Sequence, residues 1–106
     1  MKFDIFKMLY SEAREYDDLS MYLSERGWQE WMDEYTDVND ITLILTDIYT
    51  LSNGGVDEFC RVSNMQMTAL ANMVCVKYRT IQRWKKDSEI PERDKLLIAF
   101  AIINNK

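Results

Sequence analysis

Apolar positions in the first half of the chain recur at helical intervals. Ile5, Leu9, Ala13 and Tyr16, with Phe6 beside them, predict a helix over about Phe3–Tyr16. Asp17 and Asp18 suit the N-cap of a second helix reaching Glu25, with Leu19, Tyr22 and Leu23 inward and Gly27 as its C-cap. Residues 28–35 then resume a helix, with Trp28, Trp31, Met32 and Tyr35 forming one stripe and Glu30, Asp33 and Glu34 facing water. That stripe reads as core or a dimer seam. Thr36–Asp40 is a polar break whose Asp and Asn can cap the next segment. Ile41–Ser52 fits a helix through Ile41, Ile44, Leu45 and Ile48, and a strand through its alternating threonines. A lone strand would have no partner elsewhere in the chain, so the segment is expected to be helical. Ser52-Asn53-Gly54-Gly55 is the clearest break and the expected subdomain boundary.

Beyond it, Val56–Ser63 predicts a short helix burying Val56, Phe59 and Val62 or Cys60, with Asn64 suited to a left-handed turn. Thr68–Val74 is amphipathic, Cys75–Lys77 reads as a turn, and Tyr78–Lys86 is amphipathic again, with Ile81 and Trp84 on its apolar edge. Asp87–Ile90 is a loop, and Pro91 fits the first turn of a last helix over about Glu92–Asn104. Eight successive apolar residues, Leu96–Ile103, make that helix apolar all round. The preceding two helices are expected to cover Leu96, Leu97, Phe100 and Ile103. The N-terminal helices or a second subunit are expected to cover Ile98 and Ile102.

The expected fold class is therefore all-α: a compact helical bundle, with a helical N-terminal region over 1–53 and a second unit over 56–106. Three Gly and one Pro in 106 residues argue against a turn-rich β fold. No apolar run is long enough to span a membrane and no basic-then-apolar leader opens the chain, so the expected location is cytoplasmic. Cys60 and Cys75 offer neither a disulfide framework nor zinc spacing, and both are expected to be reduced core thiols. Histidine is absent, which removes the commonest general base and metal ligand. No spaced ligand motif accompanies the carboxylates, so no enzyme, metal or cofactor is expected.

Charge divides the chain. Residues 1–58 carry 4 Lys/Arg against 14 Asp/Glu, a balance of -10, whereas residues 59–106 carry 9 against 4, a balance of +5. The basic half is thus the nucleic-acid candidate. Within it, two short helices joined by a tight turn, the second one basic, form a helix-turn-helix arrangement. Arg79 and Gln82 are able to make bidentate contacts to base edges, and with Lys77 and Tyr78 they lie at the end of the second helix that would enter the major groove. Arg83, Lys85 and Lys86 are placed for phosphates, and Thr68 offers a further phosphate contact through its hydroxyl or backbone N–H. Ile81 and Trp84 read as core.

Leu70-Ala71, Val76, Thr80-Ile81-Gln82-Arg83-Trp84 and Ile90-Pro91 stand where matching residues stand in one known family. Over about residues 56–103 the chain resembles the Cro/repressor-type (XRE-like) helix-turn-helix domains of phages and mobile elements. It departs from them at Cys75, where the family has a turn glycine, so the turn is expected to form without an easy positive φ. It departs again at Met67, where the family has a glutamine that here stands one place early, as Gln66. The resemblance implies a double-stranded DNA-binding transcriptional regulator, expected to act as a homodimer with its seam near Trp28 and Trp31. A rival expectation rests on the acidic half. Its Glu12, Glu15, Asp17, Asp18, Glu30, Asp33, Glu34, Asp37 and Asp40 form either a solvated face or a docking surface for a basic, nucleic-acid-handling protein.

Overall fold

The computed structural model describes residues 1–105, whose regular elements are all helices, without strands. The order is α1 (Phe3–Ala13), α2 (Leu19–Ser24), a 3-10 helix (Glu30–Glu34), α3 (Val38–Asn53), α4 (Val56–Ser63), α5 (Met67–Met73), α6 (Tyr78–Asp87) and α7 (Glu92–Asn104). No helix among the described residues is long and apolar enough to cross a membrane.

The central strut is α3, the segment whose sequence is divided between helix and strand. It begins at Val38, where the Asp37 carboxylate accepts the Asn39 N–H at 2.9 Å. Its threonines form a ladder along one side of the helix. The hydroxyls of Thr42, Thr46 and Thr50 donate to the carbonyls of Val38, Thr42 and Thr46 at 3.2, 2.7 and 2.9 Å. Hydroxyls that would suit a strand surface are thereby satisfied within the helix. The opposite face buries Ile41, Leu45, Ile48 and Leu51. Full burial of such side chains contributes roughly 1.5–3 kcal/mol each.

α1 packs on α3 and buries Phe6, Leu9 and Ala13, and also Tyr10, which the sequence pattern does not single out. Buried Tyr22 of α2 is anchored by its hydroxyl, which donates to the Leu9 carbonyl at 3.0 Å. Asp18 caps α2 by accepting the Met21 N–H at 2.8 Å. Gly27 is not the cap of this helix: α2 ends at Ser24 with Glu25 in right-handed geometry. Arg26 instead folds back, placing its guanidinium 4.3 Å from the centre of the Tyr22 ring and 2.7 Å from Glu12 Oε2.

The helix expected over 28–35 is replaced by the short 3-10 helix, with Trp28 outside it. Local hydrogen bonds take the place of a helical stripe. The Trp28 indole N–H donates to Asp33 Oδ1 at 2.7 Å, and that of Trp31 to Gln29 Oε1 at 2.6 Å. Trp31 and Met32 are buried, but Trp28 is 63% exposed, so the predicted stripe is not one buried face.

Helix α7 is covered as expected by helices of the N-terminal half, but not principally by the two helices that precede it. It packs principally on α3, α4 and α1, burying Ile98, Ala99 and Ile102 from within the same chain. Phe100 meets Phe3 and Phe6 of α1, with ring centroids 5.0 and 5.3 Å apart, rather than the preceding helices. Leu97 is 45% exposed. The reason is directional: α1 and α7 run antiparallel, tied by the Arg14–Glu92 pair at one end. At the other end the terminal ammonium donates to Asn104 Oδ1 at 3.0 Å. The acidic and basic halves therefore share one hydrophobic core. Polar ties cross between them as well, among them the Lys95 ammonium, which donates to the Ser52 carbonyl at 2.8 Å.

Candidate nucleic-acid interface

The basic surface is assembled on α4. Val56, Phe59 and Val62 of α4 are buried, Cys60 is half-buried, and α5 and α6 both pack against this helix. Burial pushes the Cys60 thiol up, against nearby Lys85. α4 ends as its sequence suggests: Asn64 takes φ 57°, and the Met65 and Asn64 N–H groups return to the Cys60 and Arg61 carbonyls at 3.1 and 3.3 Å. This paired arrangement satisfies the last carbonyls of the helix and turns the chain into α5.

α5 buries Leu70 and Ala71 and ends in the same way. The Val76 N–H donates to the Ala71 carbonyl at 3.0 Å and the Cys75 N–H to the Asn72 carbonyl at 3.4 Å. The residue in the left-handed position is Cys75, with φ 57°. The turn therefore does use a positive φ, carried by a residue with a Cβ, and the closing hydrogen bonds offset its cost. Cys75 is exposed rather than a core thiol. Lys77 is then the N-cap of α6.

Ile81 and Trp84 are the buried residues of α6, as their spacing predicts. Arg79, Gln82, Arg83 and Lys86 are all exposed and succeed one another at intervals of three, one and three. They make one helix face, opposite Ile81 and Trp84. Tyr78, 42% exposed, and Lys77 stand at its N-terminal end. Thr80 is half-buried at the flank. On α5, Thr68 is exposed in the first turn, where Gln66 precedes the helix without a side-chain cap.

Lys85 leaves this group. Its ammonium lies 3.5 Å from the Asp57 carboxylate in the first turn of α4. It faces a neighbouring open cleft of about 910 Å³, lined also by Arg83, Glu58, Glu92 and Lys95. Lys95, which nothing in the sequence pattern marks out, is half-buried there, and desolvation lowers its pKa. Its place beside an unbroken apolar run gives no sequence signal for that tie to Ser52. The cleft mixes both signs of charge and presents no uniform field. Among the described residues no group of three or more His, Cys, Asp or Glu is arranged to hold a metal ion.

Comparison of the chain with family models, with curated proteins and with solved structures finds no match.

Proposed function

We propose that this chain binds double-stranded DNA sequence-specifically and regulates transcription, as the Cro/repressor-type proteins of phages and mobile elements do. The observation that carries the reading is the outward face of α6: Arg79, Gln82, Arg83 and Lys86 on one side of a helix whose other side is held by Ile81 and Trp84. In this reading α6 lies in the major groove. Arg79 and Gln82 read base edges, since their forked and amide groups match guanine and adenine. Lys77, Arg83 and Lys86 meet phosphates, Tyr78 and Thr68 contact the backbone at either edge, and Lys85 contributes once it parts from Asp57. One such module offers a small interface, so the binding form is a homodimer on paired half-sites. A salt titration against a fragment from the protein's own promoter, with scrambled competitor present, tests this. The expected result is competitor-resistant binding whose log K falls linearly with log salt, with a slope of about -7 for about four phosphate contacts on each of the two subunits. Binding that the competitor removes equally would exclude the reading.

A further inference from the structure

Apart from the α6 face, the acidic half holds an aromatic-walled pocket of about 410 Å³. Trp31, Tyr35 and Ile5 line it, and Glu30, Asp33 and Glu34 stand at its rim. The short 3-10 helix creates this grouping by setting Trp31 against Tyr35 and Glu30 near Glu34. The two rings are almost perpendicular, at 82° with centroids 6.1 Å apart, so they form a corner. Neither nearby indole N–H is free to donate into it, because Trp28 is bonded to Asp33 and Trp31 to Gln29. Lys2 and the Met1 terminal ammonium, which donates to Asn104 Oδ1, are the cations lining the pocket among the described residues, and Glu30 and Glu34 form no ion pair among them.

Aromatic rings attract cations through their quadrupole, and carboxylates at the rim add direct charge. The volume suits one long side chain, whose methylenes would lie on Ile5 while its charged head meets the rings and carboxylates. The surrounding region, residues 1–58, carries a balance of -10, which repels nucleic acid. The acidic surface continues past the pocket through exposed Asp37 and Asp40, a spread that suits a run of basic residues rather than one small cation.

We infer that this pocket docks a basic segment of a protein partner, with one Lys or Arg side chain seated at the Trp31/Tyr35 corner and its neighbours facing Glu30 and Glu34. The site is separate from α6 and stands independently of the DNA-binding reading.

The test is calorimetric titration of the full chain with a ten-residue lysine-rich peptide at physiological salt. The wild type binds. Glu30→Gln with Glu34→Gln weakens binding about tenfold, and so does Tyr35→Ala, whereas Tyr35→Phe retains it. Glu15→Gln with Asp17→Asn removes equal charge outside the pocket and changes affinity less than about threefold. Replacing the peptide's central lysine by norleucine also costs about tenfold. Absence of binding, equal loss in both charge-neutralised pairs, or retention in a folded Tyr35→Ala would overturn the proposal. Concentration-dependent dimerisation abolished by Tyr35→Ala would identify the occupant as a second copy and overturn the assignment of a partner.

Discussion

Gly54 and Glu58 approach so closely that a Cβ on Gly54 would fall 2.5 Å from Glu58 Cγ and 2.6 Å from Glu58 Cβ. The same added atom would stand 2.7 Å from the Thr50 carbonyl oxygen. The requirement is one of space, since φ at Gly54 is -107°. The next residue, Gly55, donates its N–H to Glu58 Oε2 at 3.3 Å, which fixes the first turn of α4 against the end of α3. Gly54→Ala should therefore destabilise the fold by about 1–3 kcal/mol, through a backbone shift at the junction of the two halves. Gly55→Ala, with open space around it, should cost less. Denaturant unfolding of both variants checks the difference. Equal midpoints would contradict it.

Cys75 offers the opposite case. It holds φ 57° with a Cβ attached, at the turn between α5 and α6. Cys75→Gly should raise stability by about 0.5–1 kcal/mol, after allowing for the greater freedom of glycine in the unfolded chain. Thermal melts of the reduced protein report the shift. A lowered Tm would show that the cysteine side chain contributes more than the backbone strain removes.

Tyr10 and Glu92 set two edges of the pH range. Burial pushes the Tyr10 phenol up to about 12, and its hydroxyl is buried without a hydrogen-bond partner among the described residues. A raised folded-state pKa means stability fully present below the ordinary tyrosine pKa of about 10 and lost as pH rises through about 12. Tyr10→Phe should shallow the alkaline loss and be neutral or mildly stabilising at pH 7, because it removes an unsatisfied hydroxyl. Hydrogen bonds from Arg14 lower the pKa of Glu92 instead. Its contribution is present above the ordinary carboxylate pKa of about 4.3 and lost as pH falls through the depressed folded-state value. Glu92 is largely exposed, so the effect is small. Melts of wild type and Glu92→Gln should differ at pH 7 and converge in acid.

The neighbouring lysines of α6 should differ in their effect on DNA affinity. Lys86 lies on the outward face, while Lys85 is turned 3.5 Å from Asp57. Lys86→Ala should reduce the salt slope by about one per subunit, Lys85→Ala by less, and Asp57→Asn should bring Lys85 into use and raise affinity. Anisotropy titrations at several salt concentrations measure all three.

Much of this architecture was legible in the chain, for reasons that particular residues make plain. Ile81 and Trp84 declare the buried edge of α6, and Asn64 declares a left-handed turn, because each depends on local stereochemistry. The helical state of α3 needed a wider argument, the lack of a partner strand, and its threonine ladder became visible only in three dimensions. Trp28 misled because its three-residue spacing from Trp31 resembles a helical stripe, while the competing bond to Asp33 depends on side-chain reach. The positive φ of Cys75 and the pairing of Lys85 with Asp57 arise from tertiary geometry, as does the packing of Phe100 on Phe3. The aromatic corner of Trp31 and Tyr35 was open to sequence reasoning as a stripe, but not as a pocket.

Selection of bound duplexes from a random-sequence pool tests the central claim most directly. Wild-type protein should enrich one motif with symmetric half-sites, and the Arg79→Ala/Gln82→Ala variant, with an unchanged Tm, should enrich none. Failure of the folded wild type to enrich any motif, or enrichment of the same motif by the double variant, would contradict the assignment of α6 as the element that reads DNA.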